Sequence, residues 1–326
     1  MIEKHNLTSL PDSLRHTANL QRLDLSENRL ESLPDWLGEL DELEELDLDQ
    51  NRLSILPETI GRLCRLKKLS LYSNRLDSLP ASFWQLTNLE FLNLSENRLS
   101  SLSDRIGDFT RLHTLDLGHN LLITLPETIG DLSSLAYFLY LSHNQLTELP
   151  GSIVKLDKLA YLNATDNQLA CLPDEIGRLS GLKELRLYNN RLASLPESLS
   201  RLSLLRELHL MNNQLTQLPE SLGSLANLRK LILTDNRLAE LPASLGSLAR
   251  LTDLDLRNNQ LVSLPESIGS LANLRYLDLR ANRLSSLPES LAGLPALEKL
   301  DLRWNKLAAL PAWLEQLEAR GCVVYW

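Results

Sequence analysis

Leucine recurs along this chain in a fixed frame, Leu-x-x-Leu-x-Leu-x-x-Asn-x-Leu-x-x-Leu-Pro-x-x-Leu-x-x-Leu, with mostly polar residues between. A clean copy runs Leu254-Asp-Leu256-Arg-Asn-Asn259-Gln-Leu261-Val-Ser-Leu264-Pro265. The asparagines of the frame are Asn28, Asn51, Asn74, Asn97, Asn120, Asn144, Asn167, Asn190, Asn213, Asn236, Asn259, Asn282 and Asn305. They are spaced by 23 residues throughout, except for the 24 from Asn120 to Asn144. Within Leu-x-Leu, the alternation of a strand puts both leucines on one face and the x residues on the other. One repeat cannot bury its leucines alone, but stacked copies bury them against each other. The pattern therefore predicts one parallel strand per coil. Proline after the outer leucine fixes φ and removes a donor, so the return segment is expected to be 3₁₀ or irregular rather than a long helix.

This frame resembles the leucine-rich repeat family, in its 23-residue, Leu-Pro-containing type, over about residues 2–326. The resemblance implies an α/β solenoid: a right-handed horseshoe with a concave parallel β-sheet and a convex side of short 3₁₀ or irregular segments. We expect a single domain over residues 1–326. Its parts would be an N-terminal half-coil or cap (1–19), about thirteen repeats (20–316) and a C-terminal closing strand or cap (317–326). His5 stands where a first ladder asparagine would fall. In the final segment, bulky residues of Val323-Val324-Tyr325-Trp326 are expected to cover the open end of the core.

The asparagine column reads as structural. A buried amide both donates and accepts, so it can satisfy backbone groups of its own and the adjacent coil, and a run of them makes a ladder. Departures from the frame carry information too. Ser103 replaces a proline and Ala164 replaces a strand leucine. The extra residue of the 24-residue coil falls in Leu135-Ala-Tyr-Phe-Leu139, predicting a bulge at the strand entry.

Composition adds limits. Lys and Arg number 33 against 42 Asp and Glu, a formal net charge of -9, which disfavours a nucleic-acid backbone as partner. Aromatic residues make up 5% and there are four Phe, so the core is expected to be aliphatic. No apolar run approaches the roughly 20 residues of a membrane span. Three scattered cysteines, Cys64, Cys171 and Cys322, form no disulfide framework or CxxC pair, pointing to a cytoplasmic setting, with a secreted effector as the variant.

Function is expected in the exposed strand columns. Phe91, Phe138, Tyr140, Tyr161, Arg186, Tyr188, His209, Met211 and Ile232 concentrate in the middle coils, with the composition of an interface hot spot. The bulge bears on Phe138 and Tyr140, because a one-residue slip would turn them to the other face. Residues 31–50 hold nine acids and no Lys or Arg, and the last coils set Asp255, Asp278 and Asp301 beside Arg257, Arg280 and Arg303. These columns are expected to pair across strands. Glu96, His119, His143 and Asp166 precede four successive ladder asparagines. His119 and His143 are weak metal candidates there, weighed against independent rim residues.

No phosphate-binding, dinucleotide, zinc-protease or nucleophile-elbow motif is present. The expected function is a non-enzymatic module, expected to be monomeric, that binds a protein partner on its concave face without cofactor, nucleic acid or membrane. The resemblance implies small GTPases, kinases or host proteins as partner classes. It also implies an alternative, the substrate-recognition arm of a larger Roco GTPase-like or ubiquitin-ligase-like protein.

Overall fold

The computed structural model describes residues 6–17 and 19–326; His5 lies outside them. The chain forms two compact units, residues 1–163 and 164–326. The first holds strands β1 (Arg22–Asp24), β2 (Glu45–Asp47), β3 (Lys68–Ser70), β4 (Phe91–Asn93), β5 (Thr114–Asp116), β6 (Phe138–Tyr140) and β7 (Tyr161–Asn163). The second holds β8 (Glu184–Arg186), β9 (Glu207–His209), β10 (Lys230–Ile232), β11 (Asp253–Asp255), β12 (Tyr276–Asp278), β13 (Lys299–Asp301) and β14 (Val323–Tyr325). Within each unit the strands pair in chain order, parallel and in register, so that Leu69 faces Leu92 and Leu231 faces Leu254. Each central leucine is buried, and short 3₁₀ turns such as Asp35–Glu39 and Glu266–Ser270 return the chain behind the sheet. Most turns directly follow a proline in extended conformation, as Asp35–Glu39 follows Pro34, whereas Ile176–Arg178 follows Glu175. At Ser103 the missing proline is compensated by a side chain that accepts from the Arg105 N–H at 3.2 Å.

The asparagines close the coils onto one another. Asn51 Nδ2 donates to Leu48 O of its own coil at 3.1 Å and to Leu25 O of the coil before at 2.9 Å. Its Oδ1 accepts from Leu30 N at 3.0 Å. The same three-way bonding recurs at Asn74, Asn213 and Asn259. Asn305, in the last full coil, is only half-buried but keeps its bonds to Leu279 O and Leu302 O.

The turns stack through glycine. A Cβ on Gly38, Gly61, Gly130, Gly223 or Gly246 would lie 2.2–2.3 Å from the carbonyl oxygen of a Ser or Thr in the next coil. Trp84 takes the glycine position in its coil and packs with Phe83 and Phe109, at centroid distances of 5.3 and 5.6 Å. The expectation of a wholly aliphatic core is thus corrected. All three rings are buried, because a bulky residue at the stacking position opens a gap that only large side chains fill.

The extra residue sits where the bulge was expected. Ala136 N and Tyr137 N share His113 O, at 3.3 and 3.0 Å, one position earlier relative to the strand than the equivalent pair Lys67 N and Lys68 N on Glu44 O, and β6 then takes register with β5, Phe138 opposite Thr114. Leu139 stays buried, so Phe138 and Tyr140 keep the exposed face.

The C-terminal segment differs from expectation. A helix α1 (Leu314–Ala319) precedes β14, and the residues buried there are Leu314, Leu317 and Cys322. Val323, Tyr325 and Trp326 are exposed, because β14 pairs with β13 at the rim of the sheet instead of folding over the core.

Candidate functional site

In the first unit, three of the sequence-picked aromatics meet. Phe138 and Tyr161 are direct register partners, and Tyr140 stands two residues along β6 on the same face. Ring centroids lie 5.6 Å apart for Phe138–Tyr140, 5.6 Å for Phe138–Tyr161 and 5.2 Å for Tyr140–Tyr161. Phe138 remains 40% exposed within this group. Strand alternation forces these side chains away from the leucine core, so their apolar area is presented outward. Phe91 is not part of the cluster, since Thr114 of β5 lies between it and Phe138. It instead lines a strand-face cavity of about 320 Å³ with Asp24, Asp47, Lys68 and Ser70.

In the second unit, Arg186, His209 and Ile232 form one row across β8, β9 and β10. Arg186 Nε donates to Glu184 Oε1 at 2.5 Å, and His209 Nε2 is 3.0 Å from Glu207 Oε2. Ile232 lines a separate cavity of about 180 Å³ with Tyr276 and Lys299. Tyr188 and Met211, half-buried, follow two residues after Arg186 and His209.

The column ahead of the ladder asparagines is a backbone feature. Glu27, Gln50, Ser73, Glu96, His119, His143 and Asp166 all have φ between 52° and 57°. This left-handed conformation turns the chain out of the strand, and Asn, Asp and His tolerate it better than most residues. His119 and His143 stack with centroids 4.0 Å apart and an interplanar angle of 15°. Near-parallel rings direct their lone pairs side by side rather than toward a common point, which is poor chelating geometry. Glu96 accepts from Tyr72 Oη at 3.0 Å, and Asp166 from Asn189 Nδ2 at 2.6 Å. The group of potential metal ligands among the described residues is a different one: Glu184, Glu207 and His209, with ligand atoms within 4.8 Å of one another. Arg186 and Lys230, the latter 3.7 Å from Glu207, already neutralise those carboxylates.

Charge pairing follows the coils. Glu39, Glu42, Glu44 and Glu45 of the acidic stretch pair with Arg15, Arg65, Lys67 and Lys68. In the last coils the pairs run chiefly along each strand and only secondarily across it: Arg280 lies 2.6 Å from Asp278 and 3.4 Å from Asp301. Burial pushes Asp301 upward, but hydrogen bonds from the Arg303 side chain and backbone, with the charges of Arg280 and Arg303, outweigh it and hold the carboxyl below its ordinary value. Asp116 goes the other way: burial raises it, against hydrogen bonds from Gly118 N and Ser95.

A leucine-rich repeat region model matches residues 101–218, and a leucine rich repeat model matches residues 1–53, 54–99, 205–261 and 249–307. A solved leucine-rich repeat protein of Leptospira interrogans is similar at 37% identity, covering 98% of this chain and 82% of that one, with a TM-score of 0.90. The chain belongs to the leucine-rich repeat family. This leucine-rich repeat chain is also similar to the plant peptide hormone receptor RGFR1, solved in complex with RGF2, at 30% identity, 94% and 55% coverage and TM-score 0.75. It is similar to Drosophila Toll in the Toll–Spatzle complex at 26% identity, 98% and 46% coverage and TM-score 0.85. It spans about half the length of those two receptor chains. No curated protein sequence matches it.

Two features of this leucine-rich repeat protein escaped the sequence reading. The left-handed column was signalled by its run of Asn, Asp and His. A set of cations one position ahead of β8, β9 and β10 falls outside the alternating strand columns.

Proposed function

We propose that the protein is a non-enzymatic recognition module that holds a protein partner on its exposed strand face, with Phe138, Tyr140 and Tyr161 as the anchor. One observation carries this: three aromatic rings from adjacent strands are packed together on a surface that the core does not need. Pre-packed rings present apolar area at little further cost in side-chain entropy, as interface anchors do. The likeness to receptors solved with RGF2 and with Spatzle supports a protein ligand. A photo-crosslinking residue placed at Tyr161, and separately at Arg178 on the turn side, tests the reading in source cells. A partner adduct should form from position 161 and not from 178; adducts from 178 alone would defeat it.

A further inference from the structure

One position ahead of their strands, three successive coils of the second unit carry an exposed cation: Lys183 before β8, Arg206 before β9 and Arg229 before β10. The strands they precede are in direct register, Glu184 with Glu207 and Glu207 with Lys230. The three positions therefore repeat at about the 4.8 Å strand spacing. Arg250 of the next coil joins them, held by Nη1 donation to Asn227 Oδ1 at 2.6 Å, while Asn227 is itself fixed by donation to Ser203 O at 2.7 Å. Together with Leu204 and Asn227 the four cations line a cavity of about 90 Å³.

Elsewhere in the same column the cations stand beside acids. Lys67 pairs with Glu44 at 2.9 Å, and Arg275 with Glu298 at 2.5 Å. Among the described residues, none of Lys183, Arg206, Arg229 and Arg250 has an ion pair, in a protein whose net charge is -9. The nearest carboxylates along the chain are engaged: Glu184 with Arg186, Glu207 with His209 and Lys230, and Asp253 with the Thr252 hydroxyl. Like charges directly opposite on adjacent strands oppose folding.

The geometry points to an anion site, and specifically to a phosphate group carried as a monoester. Arginine guanidinium groups bind phosphate oxygens in pairs, and lysine adds a point charge. The exposed Leu204 in the cavity wall gives the organic part of an ester an apolar contact that free phosphate would not use. The cationic run spans only three strands and ends at Thr252, which suits one anionic group rather than the continuous track of a polynucleotide. This site is independent of the aromatic strand-face reading.

Calorimetry of the full chain at chloride-matched ionic strength tests it, with phenyl phosphate, phenol, inorganic phosphate and a single-stranded oligonucleotide as probes. Phenyl phosphate should bind and phenol should not. Combined Arg206→Gln and Arg229→Gln should weaken phenyl phosphate by about tenfold or more, as loss of charge-assisted bonds does. Arg275→Gln, in the same column but paired, should change it by less than about twofold. Inorganic phosphate bound more weakly than phenyl phosphate supports an ester; equal binding supports the anion site with free phosphate as its source. The double variant also relieves repulsion, so without phosphate it should melt at or above the wild-type temperature. Wild-type affinity in the double variant, binding of phenol equal to phenyl phosphate, or preference for the oligonucleotide would each overturn the proposal.

Discussion

A Cβ placed on Gly246 would lie 2.2 Å from the carbonyl oxygen of Ser267 in the next coil. No side chain fits that approach without moving one turn off the other. Gly246→Ala should therefore cost about 1–3 kcal/mol, the range for overpacking a filled site. Gly293→Ala, where a Cβ meets nothing within 4 Å, is the control and should be close to neutral. Equilibrium urea denaturation of both variants decides it: equal midpoints would mean that the turns are free to separate.

Asn74→Leu leaves Leu53 N without its acceptor and takes one of two amide donors from Leu48 O and from Leu71 O, which keep Asn51 and Asn97. A buried polar group left unsatisfied costs about 1–3 kcal/mol, so the denaturation midpoint should fall by at least that equivalent. Asn305→Leu, at a half-buried rung, should cost less because water reaches the groups it frees.

Asp116 and Asp301 should give opposite pH responses. Asp116 has its folded value raised, so its charge is a liability above that value, and the liability is relieved as pH falls through it. Asp116→Asn keeps the acceptor, as Asn93 shows with Ser95 N at 2.9 Å, and should raise stability at pH 7 but not in acid. Asp301 has its folded value lowered. Its contribution is full above the unfolded value of about 3.9 and disappears as pH falls through the folded one. Asp301→Asn should cost about 1.5–3 kcal/mol at neutral pH, the worth of hydrogen bonds to a charged group, and progressively less in acid. Thermal midpoints measured from pH 7 downward check both signs.

Phe138→Ala with Tyr161→Ala should weaken partner binding by about 2 kcal/mol or more, while Arg178→Ala should change it by less than about 0.5 kcal/mol. Circular dichroism of the double variant should match wild type, because these rings pack on each other outside the leucine core. Loss of fold in that variant would reassign the rings to the core.

The repeating parts were legible because each is set by a short-range rule applied many times: strand alternation for the leucines, amide chemistry for Asn51 and its counterparts, fixed φ for Pro34 and its counterparts. What escaped depends on contacts between coils. That Trp84 would draw Phe83 and Phe109 into one buried group follows from spacing between turns, which no single repeat reveals. The stacking of His119 on His143 required the left-handed turn to set their ring planes. Arg186 reads in sequence as an interface residue able to supply a charged contact, and its bond to Glu184, two positions earlier on its own strand, shows only in the fold.

Within each unit the asparagine Oδ1 atoms reach the coil before over a fixed offset of 21 residues, stretched to 22 at Asn144 where the extra residue enters. A gene that gains or loses one whole 23-residue unit keeps every such offset, while a single inserted codon must find a place like Ala136–Tyr137, just ahead of a strand. Copy number can therefore drift by recombination without stranding a backbone group. How much surface the protein offers a partner is then a quantity that unequal crossing-over can tune in whole steps.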